Sequence, residues 1–131
     1  WGNYFNQEVY GDPTDKPWGI PIEVSRRIPE FINSEYFHPT FLYESIGNLF
    51  IFIILISTFF ILHKKGKSVS VCLISIYLIS YSLLRIILEF FRIDPTPIVM
   101  GLRLPQITSL LFIVAVIIWL IRMKIKKLKI V

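Results

Sequence analysis

Residues 46–62 read IGNLFIFIILISTFFIL, seventeen positions without a charged side chain. As a helix rising ~1.5 Å per residue the stretch covers about 25 Å, and adding Phe41 to Tyr43 upstream extends it to the roughly 30 Å of a bilayer core. Two more blocks of the same kind follow. Val69 to Phe91 is long enough to span but carries Arg85 and Glu89, and Leu104 to Ile121 is apolar apart from Gln106, Thr108 and Ser109 near its start. In lipid, such runs satisfy their backbone groups only as helices. The expected fold is therefore an all-α integral membrane protein in a single domain. Its parts are an irregular outward-facing segment (1–43), three transmembrane helices (44–62, 69–91 and 104–121) and a basic tail (122–131).

Composition agrees. The chain is 54% hydrophobic and 18% charged, against roughly 45–50% and about a quarter in soluble domains. That argues against both a soluble globular domain and a disordered one. Cys72, the single cysteine, lies inside an apolar block, which excludes an intrachain disulfide and a thiol-built zinc site. The net charge of +5 raises nucleic acid as a partner, but its distribution points elsewhere. Eight of the fourteen basic residues fall in two places, Lys64, Lys65 and Lys67 after the first span, and Arg122, Lys124, Lys126, Lys127 and Lys129 after the third. Neither place holds an acidic residue. Three crossings put both on one side, and the positive-inside rule makes that side cytoplasmic. The expected partner of these charges is anionic lipid, with no role for nucleic acid.

The second span holds the residues least at home in a membrane. At ~100° per residue, with Arg85 at zero, Glu89 lies about 40° to one side, Arg92 about 20° to the other, Tyr81 about 40° off and Ser82 about 60° off. One stripe about 100° wide carries all five, and the rest of the circumference is mainly Leu, Ile and Phe. A charge in a spanning helix costs on the order of 2.5–3.5 kcal/mol on insertion scales, so the stripe is expected to face protein or a water-filled cavity. An Arg85–Glu89 pair at i and i+4 accounts for one arginine, and snorkelling accounts for Arg92. That pairing still leaves two cations against one anion along the helix. The alternative is an anion site, in which Glu89 orients a guanidinium and Arg85 or Arg92 presents a planar fork to a phosphate.

Two further clusters lie on the outward side: WGNYFNQE at 1–8, with Asn3, Asn6 and Glu8, and FHPTFLYES at 37–45, with His38, Tyr43 and Glu44. Pro13, Pro17 and Pro21 argue against a long helix between Gly11 and Pro21. A histidine before a proline at a membrane boundary is more often an interfacial hydrogen-bonding residue than a catalyst. The other histidine, His63, lies on the opposite side, so a histidine-based metal site is not expected. An anion-conducting transporter or channel, its path lined by Arg85, Glu89 and Arg92, remains open at this point, as does a noncatalytic subunit that docks a partner helix through the stripe.

In this order the pieces resemble the prolipoprotein diacylglyceryl transferase family. Trp1 to Glu8 is similar to the family signature G-R-x-G-N-F-x-N-x-E from its third position onward, with Tyr4 in place of Phe, and Gly11 falls where members tend to keep a glycine. HPTFLYES at 38–45 is similar to the next motif. YSLLRIILEFFR at 81–92 resembles the late transmembrane motif of Tyr, Arg, Glu and Arg, and Gln106 is similar to a glutamine that opens the last helix. The resemblance implies an expectation that the chain is the C-terminal half of a larger helical bundle, because the signature's Gly-Arg would precede Trp1. It implies transfer of the sn-1,2-diacylglyceryl group from phosphatidylglycerol to the lipobox cysteine of a prolipoprotein signal peptide, releasing glycerol 1-phosphate, in the bacterial cell membrane. The roles it implies are catalytic for Arg85, Glu89, His38 and Tyr43, and substrate-binding for Asn3, Asn6, Glu8, Tyr81 and Arg92. It implies no metal or organic cofactor.

Overall fold

The computed structural model describes residues 2–65 and 69–128. Trp1, Lys67 and Lys129, which entered the motif and charge readings above, lie outside the described residues. In chain order the elements are α1 (Gly2–Asn6), β1 (Ile20–Pro21), β2 (Tyr36–Phe37), α2 (Thr40–Lys64), α3 (Ser70–Glu89), β3 (Ile98–Val99), β4 (Leu102–Arg103) and α4 (Leu104–Leu128). Two single 3-10 turns, Val24–Arg26 and Pro29–Phe31, lie between β1 and β2. Three helices, α2, α3 and α4, are long and apolar enough to cross a membrane. The protein is mostly helical, and its only sheets among the described residues are two-stranded ladders of two residues per strand.

Each long helix differs at an end from the span read in the sequence, for a local reason. α2 starts at Thr40 because Pro39 occupies its N-cap, where a missing N–H costs nothing, and the proline keeps His38 out of helical geometry. α3 stops at Glu89 because the next main-chain groups are used by the N-terminal segment. The Asp12 N–H donates to the Phe91 carbonyl at 2.9 Å, and Gly11 forms an isolated bridge to Arg92. α4 runs on into the basic tail as far as Leu128, since Lys, Arg, Leu and Met are good helix formers.

Polarity is inverted relative to a water-soluble bundle. The buried positions of α3 include Ser75, Ser82 and Glu89, seven residues apart along one face, and those of α4 include Gln106 and Ser109. Leu, Ile and Phe fill the exposed faces. With no hydrophobic drive between helices in lipid, small polar residues let α3 approach α4 closely while apolar side chains meet acyl chains. α3 is the central element, packed on α2 along one side and on α4 along another.

The segment before α2 is irregular, as expected, and forms a small cap with its own core. Tyr10, Ile22 and Phe37 are buried together and are flanked by Ile20, Ile28, Phe31 and Ile93. No helix forms between Gly11 and Pro21, as the prolines require. β1 pairs antiparallel with β2, Ile20 opposite Phe37, and the Tyr10 hydroxyl donates to the Arg26 carbonyl at 2.6 Å. Burial pushes the Tyr10 phenol above its ordinary value of 10.0. The neutral donor is the folded form, so its contribution is complete below that ordinary value and is lost only as pH rises through the raised one. The cap, the start of α2, the end of α3 and the β3–β4 hairpin share one end of the bundle, called here the capped end. Lys64, Lys65, Arg122 and Lys124 sit at the other.

Candidate active site

Six charged side chains converge where α2 begins, α3 ends and the β3–β4 hairpin closes. Arg85 lies 3.6 Å from Glu44 and 3.6 Å from Glu89. Arg92 is 3.9 Å from Glu44 and meets Asp94 through two nitrogens, at 2.8 Å from Nε and 2.7 Å from a terminal nitrogen. Arg103 places Nε 2.8 Å from Glu89 Oε1, donates to the Asp94 carbonyl at 2.5 Å and also to the Arg92 carbonyl. The stripe on α3 thus faces protein, as its 100° arc requires.

The charge count differs from the one made along α3 alone. Glu44 comes from α2 and Asp94 from beyond the helix, so three arginines face three carboxylates. The surplus cation expected from the helix is gone. The fork of Arg92, expected to snorkel or to hold a phosphate, is turned onto Asp94. Glu89, expected to orient Arg85, lies closer to Arg103. Glu89 is 2% exposed, and the Arg103 Nε–H does not point along the short Nε–Oε1 line, so the contact is Coulombic and neither carboxylate oxygen accepts a directed hydrogen bond. Arg85 is the most loosely held of the three arginines. Both of its partners stand at 3.6 Å, and among the described residues no hydrogen bond engages its guanidinium.

Arg85 also lines a cavity. A space of about 370 Å³ between α3 and α4 is walled by Tyr81, Ser82 and Arg85 on one side and by Pro105, Thr108, Ser109 and Phe112 on the other. Tyr81 is held there by stacking on Tyr77, with ring centroids 5.9 Å apart. The Thr108 and Ser109 hydroxyls donate back to the Pro105 carbonyl at 3.1 and 2.7 Å, which leaves their oxygens able to accept.

Next to the ion cluster is an aromatic one. Trp18 Nε1 donates to the Tyr43 hydroxyl at 2.8 Å, and that hydroxyl lies 2.8 Å from His38 Nδ1. Indole N–H only donates, so the phenol oxygen accepts from Trp18 and its own proton is free for Nδ1. That assignment leaves the proton of neutral His38 on Nε2. The rings of His38 and Tyr43 both pack edge-on against Phe91, the neighbour of Arg92.

Asn3, Asn6 and Glu8 stand apart. Asn6 Nδ2 donates to Glu8 Oε1 at 3.1 Å, the Glu8 N–H donates to the Asn3 carbonyl at 3.0 Å, and Arg26 donates to the Asn6 carbonyl. Among the described residues, no hydrogen bond or ion pair joins these three to Arg85, Arg92 or Arg103. The chain reaches the arginines only after Gln7 and Val9, both at positive φ (52° and 57°), bring it round to Gly11.

The sequence reading missed Arg103, Asp94 and the role of Trp18. A signal for Arg103 was present, since it is the only charge between Asp94 and Arg122. An isolated cation opening a spanning helix invites a search for its carboxylate. Arg103→Lys keeps the charge beside Glu89 but breaks the hydrogen bonds to main-chain carbonyls that join the end of α3 to the start of α4. The expected cost is about 1 kcal/mol for each hydrogen bond broken, read as a lower midpoint for thermal unfolding in detergent.

The geometry defines a multi-pass membrane protein with a charge-balanced cluster and an adjoining cavity, mostly apolar but bordered by hydroxyls and by Arg85, at one end of its helices. The family model described as prolipoprotein diacylglyceryl transferase matches residues 1–122. The chain's relatives include several that carry the name phosphatidylglycerol–prolipoprotein diacylglyceryl transferase. That of Nostoc sp. is 46% identical over 112 residues, covering 84% of this chain and 39% of the relative. That of Prochlorococcus marinus subsp. pastoris is 39% identical over 136 aligned positions, covering 98% and 46%. That of Prochlorococcus marinus strain SARG is 48% identical over 122, covering 86% and 40%. The chain belongs to the prolipoprotein diacylglyceryl transferase family. It spans 39–46% of the length of these relatives. No solved structure matches it.

Proposed function

We propose that this chain supplies the phosphate-gripping part of an enzyme that transfers the sn-1,2-diacylglyceryl group of phosphatidylglycerol to the lipobox cysteine of a prolipoprotein. The cysteine thiol gives up its proton to a base, the sulfur forms a thioether to the glycerol carbon, the carbon–oxygen bond to phosphate breaks, and glycerol 1-phosphate leaves with the electron pair. Charge builds on the leaving phosphate, so a cation aimed at it lowers the barrier. The observation that carries this reading is Arg85, a guanidinium near the capped end of a spanning helix with no hydrogen bond of its own among the described residues, facing a cavity lined with hydroxyls.

The other residues take roles that fit their surroundings. Glu44 holds Arg85 and Arg92 loosely from the mouth of α2, and Glu89 with Arg103 fixes the buried side of the cluster. Tyr81 borders the cavity in position to meet the glycerol backbone. Arg92 acts on the site through Asp94. Asn3, Asn6 and Glu8 serve a bound headgroup only by way of the cap that carries them. His38, with Nδ1 taken by Tyr43, serves as a hydrogen-bond donor through Nε2 and takes the thiol proton only after that bond is broken.

The direct test supplies phosphatidylglycerol labelled in its acyl chains, with a lipobox peptide, to membranes containing the protein. Label should appear on the peptide and disappear when its cysteine is replaced by serine. Anion flux through proteoliposomes without any transfer would instead favour a conducting path. For orientation, we propose that the capped end faces outward and the basic end the cytoplasm. Cysteines introduced at Asp15 and Asp94 should react with an impermeant thiol reagent in intact cells, and one at Lys65 only after permeabilisation. Labelling at Lys65 in intact cells would reverse the topology.

A further inference from the structure

The connection from α3 to α4 ends in an apolar hairpin. From Pro95 to Leu102 there is no charged residue. β3 and β4 pair antiparallel, Ile98 opposite Arg103 and Val99 opposite Leu102. The Leu104 N–H donates to the Pro97 carbonyl at 3.0 Å and closes the base. Met100 and Gly101 form the turn with φ of 54° and 79°, the left-handed pair that suits a two-residue hairpin. Glycine adopts this backbone freely but methionine does not, so Met100 is held at the tip against its own preference.

The tip projects into its surroundings. Met100 is 97% exposed and Ile98 69%. In water, a turn of this kind usually carries Asn or Asp where Met100 stands, and a cluster of bare apolar side chains is disfavoured. The hairpin's single charge, Arg103, is turned inward to Glu89 and to the carbonyls of Arg92 and Asp94. Its depth is set by its neighbours. The hairpin joins the same-side ends of two helices that each reach across a bilayer, and α3 at 20 residues is just about 30 Å long. The base of the hairpin, where Arg103 meets Glu89 and α4 begins at Leu104, therefore lies at the level where acyl chains give way to headgroups.

We propose that the β3–β4 hairpin is a membrane-inserted wedge, with Met100 and Ile98 seated among the lipids of the leaflet at the capped end. The occupant of this surface is lipid rather than another protein, because the hairpin is anchored at the depth of the interface and its tip offers neither charge nor a hydrogen-bonding side chain. The inference rests on the membrane spans and holds whether or not the chain takes part in diacylglyceryl transfer.

The test is a fluorescent depth measurement on the full-length protein in phosphatidylcholine vesicles. An environment-sensitive nitrobenzoxadiazole probe is attached to Met100→Cys in a background lacking other cysteines, including Cys72→Ser. A second sample carries the probe at Asp15→Cys in the cap. At Met100 the emission should be shifted to the blue, quenched by lipids bearing a nitroxide near the headgroup, and protected from iodide. At Asp15 the probe should be reached by iodide and left alone by the lipid quencher. Iodide quenching at Met100 would overturn the proposal. So would a Met100 probe that neither quencher reaches, since protein would then cover the tip.

Discussion

Arg85→Lys is expected to reduce diacylglyceryl transfer by roughly ten- to a hundredfold while expression and membrane insertion stay normal. The reason is geometric. Arginine offers two parallel N–H groups to a pair of phosphate oxygens, and lysine offers a point charge. A charge-assisted hydrogen bond of this kind is worth on the order of 1.5–3 kcal/mol, and if it is made in the transition state its removal appears in rate as that tenfold to hundredfold factor. If Arg85 served only to neutralise Glu44 and Glu89, lysine at the same position would be nearly harmless, because approaches of 3.6 Å depend on charge more than on direction. Assays at saturating and limiting phosphatidylglycerol separate weakened substrate binding from weakened transition-state stabilisation.

The second large effect is expected at Gly11. A Cβ there would lie 2.4 Å from the Phe91 carbonyl oxygen and 2.6 Å from Thr40 Cγ2. The first neighbour is backbone and has no rotamer to change. The second is anchored by its hydroxyl, which donates to the Val9 carbonyl at 2.7 Å. Gly11→Ala must push the cap off the end of α3, breaking the bridge to Arg92 and the Asp12–Phe91 hydrogen bond. Overpacking alone costs about 1–3 kcal/mol. A shift of about 1 Å at the arginines is enough for a roughly hundredfold loss of transfer. Limited proteolysis should show earlier cleavage in residues 11–39 with the helices intact. A fully active Gly11→Ala variant would mean that the cap does not position the site.

These two residues also mark how much of the protein could be read from its sequence. The spans were legible because lipid imposes one rule on a run of apolar residues. The stripe of Tyr81, Ser82, Arg85, Glu89 and Arg92 was legible because helical spacing alone puts them on one face. Glu44 was visible as an acidic residue at the mouth of α2, but its pairing with Arg85 and Arg92 depends on how α2 is set against α3, which no periodicity encodes. Asp94 and Arg103 complete the cluster from either end of a connection whose fold rests on one two-residue turn. The cap was the least legible part. Tyr10, Ile22 and Phe37 stand 12 and 15 residues apart with no repeat between them, and only the folded chain shows that they share a core.

The structure also changes which partner-removal experiment is informative. Pairing Arg85→Leu with Glu89→Leu looks like a clean removal of both charges along α3. It also strips Arg103 of its carboxylate, so loss of function in that double variant would not separate binding from folding. Arg85→Lys avoids this by keeping every charge in place.

The central claim, that Arg85 holds the phosphate of phosphatidylglycerol, is tested most directly by equilibrium binding. Phosphatidylglycerol is titrated into the full-length protein in phosphatidylcholine nanodiscs, comparing the unaltered protein with Arg85→Lys and with Lys65→Gln, a change at the basic end. Affinity should be at least about tenfold weaker for Arg85→Lys, as removal of one charge-assisted hydrogen bond requires, and unchanged for Lys65→Gln. Equal affinity in all three would contradict the claim.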